Sequence, residues 1–142
     1  MMPNTFSTAI MIAIVAVVGG VLLAIIALTR GHGKVLNKER YRTAWLEIDN
    51  NIDRNNLASY QFAILSADKL LDKALRESGV AGQTMGDRLK KSNKLFSDIN
   101  GVWAAHKVRN RIAHEVDGSV NKSVATRMLA IYKKALRDLG AI

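Results

Sequence analysis

The chain has no cysteine and a single proline in 142 residues. Both a disulfide framework and a thiolate metal site are therefore excluded, and a reducing compartment is permitted. No stretch alternates apolar and polar residues for long enough to call for a strand, and no internal repeat or low-complexity tract interrupts the sequence. Charge is missing from the first 29 residues, where neither Lys, Arg, Asp nor Glu occurs. The formal net charge of +9 and the pI of about 10.1 thus belong entirely to the segment from Arg30 to Ile142. Such a segment seeks anionic partners, either nucleic acid or an anionic membrane surface.

What fills the uncharged part is an unbroken apolar run, Ala9 to Leu28, reading AIMIAIVAVVGGVLLAIIAL. As a helix it would extend about 30 Å, the thickness of a bilayer's hydrocarbon core, and it is expected to be a single transmembrane helix. A cleaved signal peptide is the weaker reading, because no cation precedes the run and no convincing cleavage site follows it. Arg30, Lys34, Lys38, Arg40 and Arg42 come after the run against Glu39 alone. By the positive-inside rule the N-terminus lies outside the inner (cell) membrane and the rest in the cytoplasm, with these five cations placed to hold anionic lipid head groups. Ala13, Ala16, Gly20, Ala24 and Ala27 form a small-residue stripe on the run, a pattern that lets two membrane helices approach closely. The expected organisation is a tail and membrane helix over residues 1–29, a basic juxtamembrane linker over 30–36, and a helical bundle over 37–142. Gly31 and Gly33 make the linker a flexible joint, with His32 a linker residue.

Beyond the linker the apolar residues recur at helical spacing throughout, so the fold class is all-α. Helices are expected at about Asn37 to Asn51, Leu57 to Ser78, Met85 to Lys91, Ile99 to Val116 and Lys122 to Leu139. Thr84 and Asp87 have the spacing of a capping box, Asp98 or Ser97 caps the fourth of these helices, and Asn121 caps the fifth. Gly79, Gly118 and Gly140 supply stops. The result is one membrane helix and an antiparallel four-to-five-helix bundle. Ile99, Val102, Trp103, His106 and Ala113 are expected on one inner face, which makes His106 a partly buried packing residue.

The chemistry concentrates in Lys107 to Glu115, KVRNRIAHE. Asn110 and His114 lie one turn apart on the same helix face, and Arg109 reaches round from the flank. A guanidinium, an amide and an imidazole so placed suit a phosphate: Arg binds its oxygens bidentately, and an imidazole moves protons near neutral pH. The plainer alternative is a basic helix end favoured by the helix dipole. Lys107 and Arg111 add backbone attraction for a polyanion, and Lys90, Lys91 and Lys94 extend a possible phosphate-tracking surface. Glu115 and Asp117 are single acids on the helix end and moderate local charge. With no carboxylate cluster near the motif, neither a metal nor a cofactor is expected.

The order of a long helix ending in ADKLLDKAL, a TMGDRLK turn, and a helix ending in HKVRNRIAHE resembles the HEPN superfamily of small α-helical bundles. The family's motif is an Arg, usually followed by a polar residue, with a His four to six residues on; Arg109, Asn110 and His114 match it over a resemblance running from about Leu57 to Leu139. The resemblance implies a homodimer whose two motifs meet, acting as a metal-independent endoribonuclease, with these three residues catalytic. It also allows, as the second reading, a non-catalytic RNA-, nucleotide- or protein-binding or scaffold module on the inner membrane face.

Overall fold

The computed structural model describes residues 5–29, 35–115 and 119–142, the first and last three of the first stretch by their backbone only. The chain forms two compact units, residues 1–33 and 34–142. In the first, α1 (Thr5–Thr29) carries the apolar run as a continuous helix. Its span Thr8–Ile26 is long and apolar enough to cross a membrane. Ala13, Ala16, Gly20 and Ala24 lie on this helix. The linker readings at Arg30, Gly31, His32, Gly33 and Lys34, and the side chain of Ala27, fall outside the described residues.

The second unit is an all-α bundle of α2 (Lys38–Asn50), α3 (Leu57–Glu77), α4 (Met85–Lys91), α5 (Ile99–His114) and α6 (Lys122–Asp138). Helix starts follow the sequence signals. Asn37, Asn56, Thr84, Asp98 and Asn121 each accept a backbone N–H from the first turn that follows, satisfying donors the helix cannot use internally. At α4 the capping box is complete, Thr84 Oγ1 accepting from the Asp87 N–H and the Asp87 carboxylate accepting from the Thr84 N–H. These bonds hold the Asp87 carboxyl below its ordinary range. Asp98 closes on Gly101, whose missing side chain matters here because a Cβ would collide with the capping carboxylate itself. After α3 the chain turns at Gly79, in the left-handed region at φ 84°.

Helix α3 is the centre of the bundle and touches α2, α4, α5 and α6. Its buried stripe is Tyr60, Ala63, Ile64, Ala67, Leu71, Ala74 and Leu75, and the alanines allow neighbouring helices to come close. Tyr41 and Trp45 of α2 and Ala125, Met128, Leu129, Tyr132, Ala135 and Leu136 of α6 complete the same core. On α5 the inner face is rotated from the expected one. Val102 and Ala105 are buried, Val108 and Ile112 pack against the core, and Ala113 is exposed. Ser97 donates from both its backbone N–H and its hydroxyl to Asp138 Oδ2, at 2.8 and 2.7 Å, tying the approach to α5 to the end of α6. Helix α5 ends at His114, short of the expected Val116, because Glu115 turns extended at φ −102° and ψ 133°; Val116, Asp117 and the stop at Gly118 fall outside the described residues.

Candidate functional site

Asp68 interrupts the apolar stripe of α3 four residues after Ile64 and three before Leu71, so its carboxylate enters the bundle and is only 4% exposed. A buried carboxylate is costly without partners, and this one has three. His106 Nδ1 lies 2.8 Å from Oδ1, the buried Tyr132 hydroxyl donates to the same oxygen at 3.0 Å, and Arg109 Nε sits 3.3 Å from Oδ2. The Arg109 contact is an ion pair rather than a hydrogen bond, since the Nε–H is not aimed at the oxygen. Burial, followed by the charge and hydrogen bond of Asp68, pushes the Tyr132 phenol well above its ordinary range.

The network continues along α5. His106 Nε2 is 3.3 Å from Asn110 Nδ2, one turn on, and Asn110 Oδ1 accepts from Arg109 Nη1 at 3.0 Å. Proton positions follow from what each partner can do. A carboxylate accepts, so Nδ1 of His106 carries the proton. Nε2 then accepts from the Asn110 amide, whose oxygen is left to face the guanidinium. One arrangement satisfies all three links. A doubly protonated imidazole would set Nε2–H against the Asn110 NH2, and turning that amide over would set its NH2 against Arg109.

This network lies at the base of an open cleft of about 760 Å³ between α3, the α4 entry and α5. One side of the cleft is held by Arg88, buried at 5% exposure, which donates to Asp72 Oδ1 at 2.7 Å and to the Gly82 carbonyl. Arg109, with its side chain 33% exposed, has Nε beside Asp68 and Nη1 bonded to Asn110, while its Nη2 makes no hydrogen bond among the described residues. His114 ends α5 on the other side of the ridge. It is exposed and shares a shallow groove with Lys107, Asn110, Arg111 and Glu115. Asn110 lines both depressions.

Of the residues expected in a site, Arg109 and Asn110 are joined directly, and Lys107, Arg111 and His114 gather beside them. Lys90, Lys91 and Lys94 are exposed at the far end of α4 and line neither depression. Among the described residues no group of three or more His, Cys, Asp or Glu is placed to hold a metal ion. Sequence reasoning missed Asp68 and the linking role of His106, which is part-buried as expected but bonded on both ring nitrogens. The available signal was an acid inside the core stripe of α3 and an imidazole on the inner side of α5, each of which needs a polar partner when buried. Compared with known families, curated proteins and solved structures, the chain finds no match.

Proposed function

We propose that the bundle is a membrane-tethered RNA-binding domain that acts, as a homodimer, as a metal-independent endoribonuclease of HEPN type. The observation that carries the reading is the held Arg109: Asp68 and Asn110 fix its Nε and Nη1 and leave Nη2 for a phosphate oxygen. His114 lies beyond Asn110 on the open ridge, with Lys107 and Arg111 to attract the strand. In the reaction His114 takes the proton of a ribose 2′-hydroxyl as the oxygen attacks the adjacent phosphorus. The bond from phosphorus to the 5′-oxygen breaks, that oxygen is protonated, and a 2′,3′-cyclic phosphate remains. Arg109 stabilises charge on the phosphoryl oxygens and Asn110 orients the group. The two proton transfers need two groups, and His106 is already engaged on both nitrogens, so a second copy's His114 supplies the second. The stripe on α1 favours that pairing by raising the local concentration of one bundle for another. The domain faces the cytoplasm, with Lys38, Arg40 and Arg42 toward anionic lipid.

A second reading, a non-catalytic RNA, nucleotide or protein-binding module, draws support from the separation of His114 and Arg109 into different depressions. The test is cleavage of RNA by the full chain in detergent with a chelator present, beside His114→Ala. Cyclic phosphate ends, and loss of at least about a hundredfold in rate in the variant, are expected for the nuclease. Intact RNA with a chain verified as a dimer leaves the binding module.

A further inference from the structure

Phe62 stands 69% exposed on α3, beside Ala63 and Ile64, which are buried at 5% and 0%. Every other aromatic whose side chain is described is buried or half-buried. A single exposed hydrophobic residue is ordinary on a protein surface. What distinguishes Phe62 is its place on the rim of the cleft that holds Arg109, where, like Ser66 and Lys69, it also borders a depression against α2. Phe62, Ser66 and Lys69 follow one another at helical spacing along the α3 wall, and Arg109 and Asn110 stand on the α5 wall.

The charges in the cleft sort into those already used and those still open. Asp72 is taken by Arg88 at 2.7 Å and Arg76 at 3.4 Å, and Asp68 by Arg109 and His106. Arg88 is spent on Asp72 and the Gly82 carbonyl. The cations left for a ligand are Lys69, which pairs with no carboxylate among the described residues, and Nη2 of Arg109. An aromatic face and two open cations in one cleft match the two halves of a nucleotide, its base and its phosphate.

We propose that this cleft seats one unpaired nucleotide, the base stacked on Phe62 and the phosphate held between Arg109 and Lys69. The proposal rests on the RNA-binding reading and adds its substrate class, single-stranded rather than duplex RNA. Lys69 comes seven residues after Phe62, two helical turns and about 10 Å along the same face of α3. In a duplex the base faces are stacked on one another and closed to Phe62. Stacking accepts any base, so the seat selects strandedness and leaves sequence unread.

The test uses the full chain in detergent micelles, with a single-stranded oligouridylate and an RNA duplex as probes. Phe62→Ala, an exposed truncation that leaves the core intact, is expected to weaken oligouridylate binding about tenfold and leave duplex binding and the salt slope unchanged, because no phosphate contact is lost. Phe62→Trp is expected to restore affinity, and its added indole emission to be quenched by the oligonucleotide. Unchanged oligouridylate affinity in Phe62→Ala overturns the seat, as does a fall in cross-linked dimer with RNA affinity intact, which would assign Phe62 to a second copy. If the unaltered chain binds neither probe, the RNA reading itself fails and the seat with it. Binding by the unaltered chain with a neutral Phe62→Ala removes the seat alone.

Discussion

The two flanks of α5 carry similar residue types and are built in opposite ways. On the cleft side His106, Asn110 and Arg109 form a chain of contacts ending on the buried Asp68 and Tyr132. On the ridge side Lys107, Arg111 and His114 stand at the surface around a shallow groove. The cleft side is held by structure and the ridge side is held only by the helix. A guanidinium fixed before a ligand arrives loses little freedom on binding, whereas free lysines and arginines attract a polyanion without orienting it. The first kind of surface can be specific about geometry and the second supplies general affinity.

The strongest way to break this contrast is Asp68→Ala. It leaves the His106 Nδ1–H, the Tyr132 hydroxyl and the Arg109 guanidinium without their shared acceptor, and a loss of about 3–5 kcal/mol in folding stability is expected from urea unfolding. A loss below 1 kcal/mol would mean that the cleft side is no better anchored than the ridge.

A smaller effect comes from raising the pH. The Tyr132 phenol is pushed up in the folded chain, whereas in the unfolded chain it ionises near its ordinary value of about 10. Its contribution is fully present below that value and is lost as pH rises above it, at about 1.4 kcal/mol per pH unit. Tyr132→Phe is weaker at neutral pH, having lost the bond to Asp68, but its stability is expected to fall less steeply above pH 10 than that of the unaltered chain. Parallel curves would detach Tyr132 from the network.

The least effect is expected on the ridge. His114→Ala, Lys107→Ala and Arg111→Ala should each change folding stability by no more than about 0.5 kcal/mol, while each lysine or arginine removed lowers the salt slope of RNA binding by about one. A large thermal shift in any of the three would place that residue in the framework rather than on an open surface.

Much of this architecture was readable in advance because its causes are local. Caps at Thr84, Asp98 and Asn121 are decided by side chains reaching the first helical turn, within three residues in sequence. The core stripes of α2 and α3 follow from apolar spacing, which α5 blurred because Ala113 belongs by type to an inner face and by position to the surface. The hydrogen bond from Arg109 to its neighbour Asn110 was not among the expected contacts, which set Asn110 beside His114.

The sequence by itself determined the helices, their N-caps, the apolar run of α1, and the presence of an Arg, an Asn and a His within one stretch of α5. Only the tertiary structure decided which of these are wired together. Asp68 meets His106 across 38 positions and Tyr132 across 64. No local rule chooses such partners, because they are set by which faces of α3, α5 and α6 the core buries. The same packing brought Phe62 to the rim of the cleft that holds Arg109, whereas His114 lies on the far side of the ridge because five residues of helix turn it about 140° from Arg109. Helical periodicity fixes where a side chain lies on its own helix, and the identity of what faces it comes from the other helices.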